Sequence, residues 1–203
     1  MKFVKSLLAT AALTAAVGAQ AEVFGSLGGG FGTFLDLSSA GLSGGSVATL
    51  SGGTVYTSDQ PFADIPKGGV FGGDFLAAGP TSTTPATLTF TGGGVDYISF
   101  LWGSPDTFNL LTVGSTAPGA TSQNFTAMSL GFPVTNGDQS FSQYVQFTGL
   151  NGSKITSLTF SSSIDAFESA NYSVTPIPEP ETYALMLAGL GVVGFIARRR
   201  QKG

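Results

Sequence analysis

Thr87-Leu-Thr-Phe-Thr91, Gly92-Gly-Gly94 and Val95-Asp-Tyr-Ile-Ser-Phe-Leu-Trp102 follow one another near the middle of the chain. The first segment alternates polar and apolar residues, the second is a turn, and the third is rich in β-branched and aromatic residues. Gly103-Ser-Pro-Asp106 then makes a turn around Pro105, and Thr107 to Val113 resumes as a strand. Further along, Gln123 to Leu130 is a weaker strand candidate. Phe141 to Phe147 and Ile155 to Ser161 are stronger ones, joined at Leu150-Asn-Gly-Ser153, and Phe167 to Val174 closes the series. Short strands at this spacing, punctuated by Gly and Asn, predict an all-β domain, an antiparallel β-sandwich or jelly roll.

Upstream the signal is poorer. Residues 22–79 hold 15 of the 30 glycines, which predicts many turns or loosely ordered loops. Leu42-Ser-Gly-Gly-Ser-Val47 is echoed by Leu50-Ser-Gly-Gly-Thr-Val55. Two copies are too few for a solenoid and read as two strands that end alike.

The two ends of the chain differ from this middle. Lys2 and Lys5 precede an apolar run from Leu7 to Val17, and Ala19-Gln-Ala21 supplies small residues at the spacing that signal peptidase cuts. Residues 1–21 are therefore read as a signal helix that is removed, with Glu22 the first residue of the mature chain. At the other end, Pro178-Glu179-Pro180 precedes an apolar helix expected over 182–197. Sixteen residues at roughly 1.5 Å each span about 24 Å, short against a hydrocarbon core of roughly 30 Å. The prolines keep the tripeptide out of regular helix, and the basic end 198–202, with Arg198, Arg199 and Arg200, favours the cytoplasmic side.

The region from Pro178 through Leu190, with the arginines that follow, resembles the PEP-CTERM sorting signal. The resemblance covers residues 176–203. It implies recognition of Pro178, Glu179 and Pro180 by an exosortase, a membrane cysteine transpeptidase of Gram-negative bacteria that make exopolysaccharide and biofilm. The implied route is export, transient residence in the inner membrane, then the outer envelope or the extracellular matrix. The ectodomain, residues 22–175, carries a second resemblance. Asp96 to Asn109, with its Trp-Gly-Ser-Pro-Asp core, is similar to a hairpin of PEP-CTERM surface proteins, and Ala166 to Val174 is similar to their closing strand. Phe108 and Ala170 stand where Tyr and Asp are usual. These likenesses imply a β-sandwich reminiscent of lectin-like modules.

Composition removes whole classes of chemistry. The ectodomain has ten acidic residues against Lys67 and Lys154, a net charge of −8, so it cannot neutralise a run of phosphates and nucleic acid is excluded as a partner. The sequence holds no Cys and no His, which rules out disulfides, thiol or imidazole nucleophile systems and His or Cys zinc sites. An enzyme is not expected. A carboxylate glycosidase built on Asp165 and Glu168 is the least favoured reading, because proximity in sequence does not place two carboxylates across a cleft.

The binding candidates sit in the 96–109 stretch. Trp102 would either stack on a sugar ring, making exopolysaccharide a partner, or anchor the turn to the core. Asp96, Asp106 and Asn109 would offer oxygens to calcium, although no fixed ligand spacing is present and Asp106 also suits a turn. No other metal or cofactor is implied.

Overall fold

A computed structural model describes residues 23–118 and 121–174. The signal segment, Ala19 and Ala21, the span 182–197, the tripeptide and the arginines lie outside those residues. Among the described residues no helix is long and apolar enough to cross a membrane.

The strands are β1 (Val23–Leu27), β2 (Leu37–Ser38), β3 (Gly41–Leu42), β4 (Ala48–Ser51), β5 (Thr54–Tyr56), β6 (Phe75–Ala78) and β7 (Ala86–Phe90), followed by β8 (Tyr97–Trp102), β9 (Asn109–Ser115), β10 (Ser122–Phe125), β11 (Gln143–Gly149), β12 (Ile155–Ser162) and β13 (Phe167–Ser173). They form two antiparallel sheets, one ordered β1-β11-β8-β13-β6-β5 and the other β10-β9-β12-β7-β4-β3-β2. The expected all-β sandwich is present.

Between the sheets lies an aromatic core. Phe100 stacks on Phe147 at 6.0 Å and meets Phe160 of the opposite sheet edge-on at 5.4 Å. Trp102 lies on Phe167 at 4.1 Å, and Phe167 meets Phe160 at 5.1 Å. With no disulfide in the chain, this burial supplies the stability, at roughly 1.5–3 kcal/mol for each large apolar side chain.

The two sheets differ on their outer faces. In the seven-stranded sheet β7 and β12 alternate between buried and more exposed residues, the pattern of a half-solvated sheet. In the six-stranded sheet every residue of β6, β8 and β13 is buried. Two stretches of the Gly-rich N-terminal part lie across its outer side. In the first, the Gly28 amide donates to the Tyr144 carbonyl and the Leu35 amide to the Tyr172 carbonyl, each at 2.8 Å. Gly30 rests on the Tyr144 ring; a Cβ there would sit 2.5 Å from Cγ, and its φ of +76° also favours glycine. In the second, Phe62, Ala63, Ile65 and Val70 pack with Phe75, Ala77 and Ala170 as a separate apolar cluster. Most of the expected loops of residues 22–79 are thus ordered structure, six short strands plus a cover. Their glycines serve close approach, as at Gly30, and passage between sheets at Gly52-Gly53, where a side chain on Gly52 would strike the Pro85 carbonyl.

Two further expectations change. Gln123 to Leu130 is a strand only to Phe125, after which Ala127–Leu130 makes one helical turn, α1. Thr126 caps it through the Ser129 amide, and Gly131 ends it in the left-handed conformation. The 96–109 stretch is no hairpin. β8 pairs with β11 and β13, while β9 pairs with β10 and β12, so residues 103–108 form an arch from one sheet to the other. Leu42 and Ser51 do end β3 and β4, as the repeated Leu-Ser-Gly-Gly motif suggests.

Strand directions fix where the chain ends lie. β13 runs antiparallel to β8, β8 to β11, and β11 to β1. The start of β1 and the finish of β13 therefore share one end of the sandwich. The 103–108 arch and the turn before β13 occupy the other.

Candidate functional site

A cluster of buried polar groups, among them Ser104, Asp106, Asn109 and Glu168, lies at the arch end. Leaving β8, the Gly103 amide donates to the Glu168 carbonyl at 2.8 Å and draws the arch against β13. Ser104 Oγ then donates to Glu168 Oε2 at 2.5 Å, and the Ser104 amide approaches the same oxygen at 3.4 Å. From the covering segment the Asp64 amide reaches Glu168 Oε1 at 3.4 Å. Glu168 is only 2% exposed, and among the described residues no cation pairs with it. Burial pushes its carboxyl up to about 7, against the opposing pull of the bonds from Ser104 and Asp64. Glu168 thus ties together the arch, β13 and the cover, a structural use that its sequence context does not announce.

Asp106 and Asn109 stand on the same arch. Asn109 Nδ2 donates to the Ser104 carbonyl at 3.1 Å, and its Oδ1 accepts from Ser162 Oγ at 2.7 Å, so its amide is spent holding the arch to β12. Asp106 bridges to Asn136, and Gly137 lies so close that a Cβ there would be 2.7 Å from Asp106 Oδ1. Burial raises the Asp106 carboxyl above its ordinary value.

Asp96 is elsewhere. It precedes β8 whereas Asp106 follows it, so six strand residues, about 20 Å of chain, separate them. Asp96 pairs with Lys154 at 3.0 Å on the surface. The expected sharing of calcium by Asp96, Asp106 and Asn109 is therefore corrected: the arch geometry puts Asp96 at the opposite end and commits the Asn109 oxygen to Ser162. Among the described residues no three His, Cys, Asp or Glu side chains are grouped to hold a metal ion.

Trp102 is fully buried. Its ring is enclosed by Phe100, Phe132 and Phe167, leaving no face for a sugar. The reading of Trp102 as an exposed platform is corrected to its alternative, the core anchor, because it points between the sheets. Its Nε1–H is buried without a hydrogen-bond partner among the described residues.

Asp165 and Glu168 are engaged with different partners. Asp165 accepts from the Thr81 amide at 3.0 Å and from Thr81 Oγ1 at 2.6 Å, bracing the turn before β7. Ala170 sits in the apolar cluster under the cover, where a carboxylate would be buried.

Sequence reasoning overlooked Asn171. It has φ of +55° at the irregularity in the β13–β8 register. Its Oδ1 accepts from the Phe71 amide at 2.6 Å, and its Nδ2 donates to the Gly69 carbonyl at 2.8 Å and Tyr144 Oη at 2.7 Å. Asn is among the few residues that tolerate this backbone conformation, and its amide supplies both a donor and an acceptor to the cover.

The arrangement binds the molecule to itself: the carboxylates of Asp165 and Glu168 and the amide of Asn109 are engaged with backbone and hydroxyls. Comparison with curated proteins returned no match, and neither did comparison with solved structures. A family model does match the C-terminal segment: residues 176–201 fit the PEP-CTERM protein-sorting motif. That motif implies an exported surface protein processed by an exosortase.

Proposed function

We propose that this protein is a non-enzymatic component of the outer envelope or exopolysaccharide matrix, delivered as a folded acidic sandwich. The observation that carries the reading is the sorting motif at residues 176–201. Support comes from the polar groups of the arch end, which brace loops rather than face one another across a cleft. Within the motif, Pro178, Glu179 and Pro180 are the residues assigned to recognition, and Arg198 to Arg200 to retention on the cytoplasmic side until cutting occurs. The alternative, a lectin-like module, has to use side chains other than Trp102.

Substitution of Glu179 or Pro180 in the native bacterium tests the reading. Full-length protein should accumulate in the membrane fraction, with loss of the released form. Normal processing of both variants contradicts the exosortase assignment. Binding of the 22–175 fragment to polysaccharide from that bacterium separates the two roles: saturable binding favours the lectin-like one, and its absence favours a structural one.

A further inference from the structure

Resting on the sorting-tail reading, we infer that the sandwich stands end-on at the membrane before processing, its termini-bearing end against the anionic headgroup surface and its acidic arch end outward.

Tether length is the first reason. Val23 is buried at the start of β1, and Val174 still packs against the core one residue beyond β13. Only Thr175, Pro176 and Ile177 separate Val174 from Pro178, so no conformation can place the tripeptide more than about 14 Å from it. The seven residues of β13 alone cover about 20 Å in the opposite direction. The end that carries both termini is therefore the one held nearest the bilayer, first through the signal segment and then through the tail.

Charge is the second, independent reason. The loops around the chain ends are Ser43–Val47, Thr91–Asp96 and Leu150–Lys154, made mostly of Gly, Ser, Thr and Asn. Their single carboxylate, Asp96, is neutralised by Lys154 at 3.0 Å, which leaves Asp36, bonded through its carbonyl to Ser43, as the unpaired acid there among the described residues, with Glu22 next to Val23 in the chain. Asp106, Asp138 and Asp165 gather at the arch end, and among the described residues none of them has a basic partner within ion-pair distance. The covering segment between adds Asp59, Asp64, Lys67 and Asp74. An anionic bilayer surface repels the arch end and tolerates the other, so electrostatics and tether favour the same orientation.

The chain has no cysteine, so single labels are clean. Ser46→Cys places an exposed label at the termini end, and Ser163→Cys places one in the turn before β13. Each full-length variant, carrying an environment-sensitive fluorophore, is reconstituted into phosphatidylcholine–phosphatidylglycerol vesicles with headgroup spin-labelled lipid. Quenching at residue 46 is expected to exceed that at residue 163 by about threefold or more, given the ~20 Å offset along the strands. Equal quenching, or stronger quenching at 163, in chains that float with the vesicles overturns the orientation alone. Chains that do not float with the vesicles overturn the tail's membrane role and the orientation with it.

Discussion

The seven-stranded sheet wets its outer face, whereas the six-stranded sheet is roofed over, and the two record their strands differently in sequence. A strand with one solvated face records its fold as alternation, as in Ala86–Phe90 and Ile155–Ser162. A strand buried on both faces shows no such alternation and is read from its apolar run alone, as in Phe75–Ala78 and Tyr97–Trp102. The roof itself is written in glycines, which read as loops because freedom of φ is all that a sequence shows of them.

The contrast can be tested at its core. Trp102→Ala, which removes the largest side chain of the buried strand β8, is expected to cost about 3–5 kcal/mol in denaturant unfolding. Trp102→Phe should cost much less than that, since it also removes a buried N–H without an acceptor. Equal losses would contradict the placing of Trp102 as a core anchor.

Glu168 tests the junction between roof and sheet. Its carboxyl is pushed up to about 7 in the folded protein, above its ordinary 4.5. A raised folded value means that the native state holds the proton more tightly. Stability from this group is therefore complete below pH 4.5 and falls as pH rises through 7, by at most about 3 kcal/mol. Glu168→Gln should remove that component, matching the natural protein near pH 4.5 and exceeding it at pH 8. Parallel stability profiles for the two proteins would contradict the burial argument.

Asn171→Ala attacks the roof directly. It deletes three hydrogen bonds and leaves Ala at positive φ, an expected loss of about 2–4 kcal/mol. Hydrogen exchange should speed up at Gly69 to Phe71 before it does in β12. Uniform acceleration would mean that roof and sheets open as one unit. At the small end, Lys154→Ala breaks an ion pair whose side chains are 44% and 78% exposed, and should cost about 0.2–1 kcal/mol, less at high salt.

Most strands from β7 onward were readable, because each had a period and a turn to bound it. The pairing was not. The Gly103–Asp106 turn has the residues of a hairpin, and only the partners of β8 and β9 reveal an arch. The same gap explains the site residues. Trp102 beside a turn is equally consistent with exposure and burial until the arch directs it inward. Asp96 and Asp106 are ten residues apart in sequence, yet a whole strand holds them at opposite ends. Glu168 and Asn171 gained their roles from segments about a hundred residues upstream, a relation that no local pattern carries. The sorting motif at residues 176–201 was legible because its information is local: a tripeptide, an apolar run and a basic end.

The delivery account rests on that tail, and the intact mass of the protein recovered from the surface of its native bacterium tests it most directly. The account predicts a chain that begins at Glu22 and ends at or near Pro178, with residues 182–203 gone. A surface form that retains those residues would contradict it.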